Sequence, residues 1–209
     1  MRLAHRLRAS NVLHYVRYRL GLDQARTQTT PAERALLCEL AAGARMIVEI
    51  GAFEGVSTRL MRNAMPHDAL LYAIDPFVAN SFGFSVQHAI FRREVGRSAN
   101  GHVILLRQSC EEAIASWREP IDLLFLDGDH SFEGVTRDFR EWGCHVRPGG
   151  VILVHTSQRS SAKPVPTSCG PYRLVHEIVP RETGFRVARV VDSTTVVVRQ
   201  VMPHAEGSR

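Results

Sequence analysis

The chain has almost no lysine: of its 26 basic residues, Lys163 is the single lysine and the rest are arginine. Cysteine is also scarce, with four in 209 residues, at Cys38, Cys110, Cys144 and Cys169. They are too widely spaced for zinc-ligand pairs, and reduced, buried thiols in the cytoplasm are the simplest reading. No apolar run approaches the ~20 residues that a membrane-crossing helix needs. The basic N-terminus does not read as a secretory leader, because Arg17 and Arg19 fall where the apolar core of one should be. No internal repeat is visible. With 44% hydrophobic residues, the length suits one domain with an extension to spare.

The net charge is +5 and it is unevenly placed. Residues 1–26 carry six arginines (Arg2, Arg6, Arg8, Arg17, Arg19, Arg26) against one acid, Asp23. Leu3, Leu7, Leu13, Val16 and Leu20 recur near helical period, so a helix with an arginine-rich face is expected. Such a face can bind nucleic acid, an anionic membrane or an acidic partner, but a solvated surface explains it more simply. No aromatic-rich RNA-binding signature or zinc-finger spacing accompanies it.

A break is expected between Asp23 and Pro31. Thr30-Pro31-Ala32-Glu33 reads as an N-cap with proline at the first helical position, and that helix should stop at Gly43. Short apolar strands then alternate with helices. Strands are expected at 46–50, 70–74, 103–106, 121–126, 151–154, 185–191 and 195–199. Helices are expected at 56–64, 86–95, 111–117, 132–146 and 172–179. This pattern means a Rossmann-like α/β doubly wound sheet, mostly parallel, seven-stranded, with an antiparallel C-terminal strand. The expected organisation is a basic helical extension over 1–30, one domain over 31–201 and a flexible tail over 202–209.

In such sheets ligands bind beyond the carboxyl ends of the strands. Val48-Glu49-Ile50-Gly51-Ala52-Phe53-Glu54-Gly55-Val56-Ser57-Thr58 runs from a strand through a glycine turn into a helix. Gly51 and Gly55 permit positive φ and close ligand approach, and the helix aims unpaired N–H groups at the same place. Phe53 stands where a dinucleotide fingerprint has its second glycine. It would crowd a pyrophosphate but not a nucleoside with an amino-acid tail, which favours S-adenosylmethionine over NAD. Asp75 ends the next strand and can accept both ribose hydroxyls. Asp127-Gly128-Asp129-His130 ends the fourth strand. Turn and cap chemistry accounts for Gly128 and Asp129 but leaves Asp127 and His130 for function. A neutral imidazole can take a proton from a hydroxyl near pH 7. His155-Thr156 ends the fifth strand, where His155 is either a second candidate base or a hydrogen-bonded structural residue. Phe77, Phe82 and Phe84 could wall an apolar pocket, whereas Phe91 fits helix core.

With Phe125-Leu126-Asp127-Gly128-Asp129-His130-Ser131-Phe132-Glu133-Gly134-Val135, then Asp138 and Arg147-Pro148-Gly149-Gly150, the chain resembles the class I S-adenosylmethionine-dependent methyltransferases. Within them it is most similar to the small O-methyltransferases related to macrolide-sugar and catechol-type enzymes. The resemblance spans roughly residues 30–200 and extends to Gly170-Pro171-Tyr172-Arg173. It implies methyl transfer from S-adenosyl-L-methionine to a hydroxyl of a small acceptor, a sugar or secondary metabolite. It implies that Glu49, Gly51 and Gly55 surround the methionine portion, that Phe53 and Ser57 also bind the cofactor, and that Asp75 binds the ribose. Gln108 and Ser109 would then flank the adenine, with Asp127 between cofactor and acceptor. His130 matches a position that carries a lysine base in catechol-type relatives. Metal-dependent relatives hold magnesium with an aspartate at the Asp127 position and a carboxylate or amide pair at the end of strand five. Here that end reads His155-Thr156, so no metal is expected, with a softer ion on His155 as the alternative. A cytoplasmic homo-oligomer acting without nucleic acid is expected. Two other readings fit the same frame: a non-catalytic partner-binding protein and a hydroxylase-associated relative.

Overall fold

A computed structural model describes residues 2–80 and 83–201, with side chains from residue 11 onward. Seven strands form one sheet: β1 (Met46–Ile50), β2 (Leu70–Ile74), β3 (His102–Leu106), β4 (Ile121–Leu126), β5 (Val146–Val154), β6 (Phe185–Val191) and β7 (Thr194–Arg199). Their spatial order is β3-β2-β1-β4-β5-β7-β6. The first five pair in parallel, and β7 inserts antiparallel between β5 and β6. The chain order reverses between β1 and β4, which opens the crevice where such sheets bind ligands.

The central strands are apolar on both faces because both are covered. Ile47, Leu123 and Phe125 pack on one side with Leu37, Met61 and Phe91. Val48, Leu124 and Leu126 pack on the other with Phe139, Trp142 and Leu174. The helices on these faces are α2 (Pro31–Ala41), α3 (Val56–Ala64), α4 (Val86–Val95), α5 (Cys110–Ala115) and α6 (Phe132–Gly143). Glu33 and Thr30 form a capping box at the start of α2, with Pro31 in its first turn.

Several boundaries differ from the sequence expectation. Strand β5 begins at Val146, so α6 ends earlier and Arg147-Pro148-Gly149-Gly150 lies inside the strand. Ile121 pairs with Val146 but Leu123 with Val151, so the segment bulges before it rejoins the ladder. The expected helix over 172–179 is a short α-turn, α7 (Gly170–Arg173), followed by π and 3-10 turns that end at Arg181. Pro180 lacks an N–H, which limits α-helical bonding there. All four cysteines are free, but none is fully buried as expected: Cys38, Cys110 and Cys169 are partly buried and Cys144 is exposed.

Helix α1 (Arg2–Arg19) packs on its own domain. The Tyr18 hydroxyl donates to Glu94 Oε1 of α4 at 2.6 Å, and Arg59 Nε binds the other oxygen at 2.9 Å. His14 Nε2 meets Glu54 Oε2, inside the glycine turn, at 3.1 Å, and the Arg26 N–H donates to the same oxygen at 2.5 Å. Val12, Leu13, Val16 and Leu20 remain exposed on the helix's other side. The side chains of Leu3, Leu7, Arg2, Arg6 and Arg8, together with Phe82 and the tail over 202–209, lie outside the described residues.

Candidate active site

A cavity of about 640 Å³ opens at the carboxyl ends of β1, β2 and β4, a size that suits a small organic ligand. Its wall includes Gly51, Phe53, Gly55, Ser57, Asp75, Gln108, Ser109, Asp127 and His130. Nine of the residues singled out from the sequence therefore share one wall. Glu49 and His155 do not line it; each lies buried behind a residue that does.

The glycines are required by packing as well as conformation. Gly51 has φ +89°, and a Cβ there would run into the backbone carbonyl of Asp127. Gly55 has φ +82°, and a Cβ would lie 2.9 Å from Phe91 Cδ2. Close approach of protein to protein, rather than of protein to ligand, thus explains both. Phe53 takes a left-handed conformation, φ 47°, which is costly for a residue with a β-carbon. Its N–H donates to Asp75 Oδ2 at 2.9 Å, and the N–H of Phe77, also left-handed, donates to Oδ1 at 2.8 Å. Asp75 thereby stitches two strained turns together. Each of its oxygens keeps lone-pair capacity for a ligand hydroxyl.

Glu49 is fully buried beneath the turn, and its two oxygens accept from the hydroxyls of Ser57 and Thr58. Burial outweighs those bonds and pushes its carboxyl up to about 8. Ser109 caps α5, accepting from the Glu112 N–H at 3.2 Å, while Gln108 is exposed at the cavity wall. Phe77 and Phe91 belong to the core, and Phe84 is half exposed with its edge toward Tyr15.

At the end of β4, Asp127 meets both histidines. His155 Nδ1 lies 2.6 Å from Asp127 Oδ1, and His130 Nε2 lies 3.5 Å from the same oxygen. His155 is fully buried, and its Nε2 faces Glu33 Oε2 at 3.5 Å. Burial alone would lower the imidazole's pKa, but hydrogen bonds to Asp127 and Glu33 overcome it and hold it up at about 9. Burial likewise opposes ionisation of the partner acids. The histidine contacts nevertheless keep Asp127 below its ordinary range, and with Ser193 and Thr30 they bring Glu33 to about 2. Glu33 also accepts from the Ser193 N–H and hydroxyl at 2.9 and 2.7 Å. Lys163, the only lysine, completes the cluster: its Nζ donates to Thr156 Oγ1 at 2.8 Å and lies 3.4 Å from His155 Nε2. Neither Glu33 nor Lys163 was singled out from the sequence. Glu33 falls within the first turn of α2, where an acid is ordinary, and no local pattern points to Lys163.

Comparison with known proteins adds the family. A methyltransferase-domain family model matches residues 48–157, just over half of the chain. The chain belongs to that methyltransferase family. A protein of Mycolicibacterium vanbaalenii, provisionally named an O-methyltransferase, is 32% identical over 140 residues, 65% of this chain and 58% of that protein. The uncharacterised protein R132 of Acanthamoeba polyphaga mimivirus is 33% identical over 110 residues, 51% of this chain and 48% of its own length. The chain thus spans about half to three-fifths of these curated relatives. A crystal structure of a Bacillus cereus O-methyltransferase with S-adenosylhomocysteine shares the fold, with a TM-score of 0.60 and 18% identity over 91% of each chain.

The donor set beside Asp127 of this methyltransferase domain does not fit a divalent cation. Oxygen ligands are wanted, and the nearest partner is an imidazole that holds its proton, with an ammonium group next to it. Among the described residues, no group of three or more histidine, cysteine or acidic side chains could hold a metal ion.

The pKa shifts of this methyltransferase domain set a pH dependence. Glu49 is raised from 4.5 to about 8, and His155 from 6.5 to about 9. In both cases the folded state binds the proton more tightly, so each contribution is present at low pH and is lost as pH rises through the folded value. Stability of the ligand-free protein in urea should therefore decline between about pH 5 and 9. Glu49→Gln should remove the decline between about pH 4.5 and 6.5, make it shallower up to about pH 8, and leave the His155 part that runs on to about pH 9. An unchanged profile in the variant would show that Glu49 does not carry it.

Proposed function

We propose that this chain transfers a methyl group from S-adenosylmethionine to a hydroxyl of a small-molecule acceptor, a sugar or secondary metabolite. One observation carries the reading: the glycine turn and Asp75 share a cavity wall with the Asp127–His130 pair. Family membership supports it, as does the likeness to an O-methyltransferase solved with S-adenosylhomocysteine.

When bound, S-adenosylmethionine supplies an electrophilic methyl group on a sulfonium. Gly51, Phe53, Gly55 and Ser57 would bound its amino-acid tail, with Glu49 holding Ser57 and Thr58 from beneath. Asp75 would accept the ribose hydroxyls, and Gln108 and Ser109 would border the base. His130 is 38% exposed at the wall. Its imidazole would take the acceptor's proton as the oxygen attacks. Asp127 stabilises the imidazolium that forms and orients the acceptor. His155 cannot do that work, because it is buried with both nitrogens facing carboxylates. It acts as a positioning residue that fixes Asp127. Alignment and proton removal are the protein's contributions to a displacement of this kind.

Outside the site, the exposed stripe Val12, Leu13, Val16 and Leu20 supports a homo-oligomer formed through α1. Four free thiols, one of them exposed, support a reducing compartment such as the cytoplasm. No described helix is long and apolar enough to cross a membrane.

His130→Ala should lower turnover by about 10²–10⁴, the usual contribution of a positioned base. S-adenosylhomocysteine affinity, read by calorimetry, should stay nearly constant. Normal turnover in that variant would remove His130 from the base role. Because an imidazolium and an ammonium surround Asp127, methyl transfer should persist in EDTA; loss of activity restored by magnesium would contradict the metal-free reading. Leu13→Asp together with Leu20→Asp should lower the mass seen by sedimentation, whereas a wild-type protein that sediments as a monomer would end the oligomer proposal.

A further inference from the structure

Two buried side-chain oxygens among the described residues have no protein partner, Thr136 Oγ1 and Asp138 Oδ1. Of the two, Asp138 belongs to the cavity wall. It sits in the second turn of α6 and is 4% exposed; the Cys110 thiol of α5 hydrogen-bonds its carboxyl but leaves Oδ1 without a partner. The Trp142 indole N–H lies 2.8 Å from Cys110 Sγ and is therefore directed at the sulfur rather than at the carboxyl. Arg137, the adjacent cation, pairs with Glu111 at the surface. Burial raises the Asp138 carboxyl above its usual range. A buried acceptor without a donor costs about 1–3 kcal/mol. That cost is removed if a ligand brings an N–H to it.

The neighbouring wall residues say which part of the ligand arrives. Gln108, Ser109, Cys110 and Asp138 all line the cavity; the first three lie where the chain leaves β3 and enters α5, two strands from β1 and its glycine turn, and Cys110 contacts Asp138. The Ser109 oxygen already accepts from its own helix, and the Ser109 N–H donates to Glu112 Oε2 at 2.9 Å. We infer that Asp138 reads the nucleoside base: its free carboxyl oxygen accepts a hydrogen bond from the exocyclic amine of adenine. This rests on the proposal that the cavity holds S-adenosylmethionine. It adds the group that selects an amine-bearing purine over one without that donor. A purine with a carbonyl at the same position would face the carboxyl oxygen with a second acceptor.

The test compares S-adenosylhomocysteine with its 6-desamino purine analogue, which lacks the amine and adds nothing in its place. In calorimetry the wild-type protein should bind the adenine compound about tenfold more tightly, the worth of one such hydrogen bond. Asp138→Ala should weaken the adenine compound by a similar factor and bring the two ligands within about twofold. Equal binding of both by the wild type would overturn the inference while leaving the cofactor reading standing. So would a tenfold preference that survives in Asp138→Ala. Binding of neither ligand would overturn the cofactor reading and this inference with it. The wild-type comparison needs no variant, so a folding defect in Asp138→Ala would not protect the inference.

Discussion

The contact between Asp127 and His155 is the constraint on which the rest of the site depends. A carboxylate at the end of the central strand would be costly if left half-buried and alone. Here an imidazolium from the next strand holds it at 2.6 Å, and Glu33 holds the imidazolium from behind. Lys163 adds a second cation, so two acids and two bases face one another. Buried pairs of this kind add little net stability compared with apolar packing, but removing any one member strands the others. What the cluster supplies is position. It ties α2, β4, β5, the β6–β7 turn and the loop after β5 to one point beside the cavity.

The remaining constraints gather at the same edge of the sheet. Phe53, Phe77 and Thr156 follow β1, β2 and β5, and all three hold left-handed backbone conformations. Strain of this sort persists where surrounding bonds over-determine it. Asp75 supplies two such bonds, one to each of the first two turns. The N-terminal extension is part of this edge as well. Arg26, Thr27 and Gln28 line the cavity, and His14 and the Arg26 N–H both bind Glu54 within the glycine turn. Part of the cavity wall therefore comes from a segment that lies outside the sheet fold itself, which gives the basic helix a structural reason to dock where it does.

Much of this was legible from local pattern. The positions of all seven strands followed from short apolar runs, and the start of α2 followed from Thr30 as an N-cap with Pro31 at the first helical position. The residues after β1, β2 and β4 were marked because ligands in parallel sheets bind there, and they do share one cavity. Other features were not legible. The Arg147-Pro148-Gly149-Gly150 segment looks like a turn and bulges within a strand, because Ile121 of β4 holds its start in the ladder. His155 looks like a second candidate base and lies fully buried between Asp127 and Glu33. Asp138 belongs to a recognisable motif, but nothing in its neighbours along the chain marks its oxygen as unpaired.

The sequence by itself determined the order of strands and helices, the family and the identity of the residues at the ligand edge. These depend on periodicity, capping and spacing within about a dozen residues. Tertiary structure alone decided which histidine lines the cavity and which is buried, that Glu33 reaches across the fold to His155, that Lys163 joins them, and that Asp138 lines the cavity with one oxygen unpaired. The contacts of this cluster run from 2.6 to 3.5 Å and join segments up to 160 residues apart. They exist only once the strand order has placed β4 beside β5 and the β6–β7 turn above α2, and no local pattern contains that information.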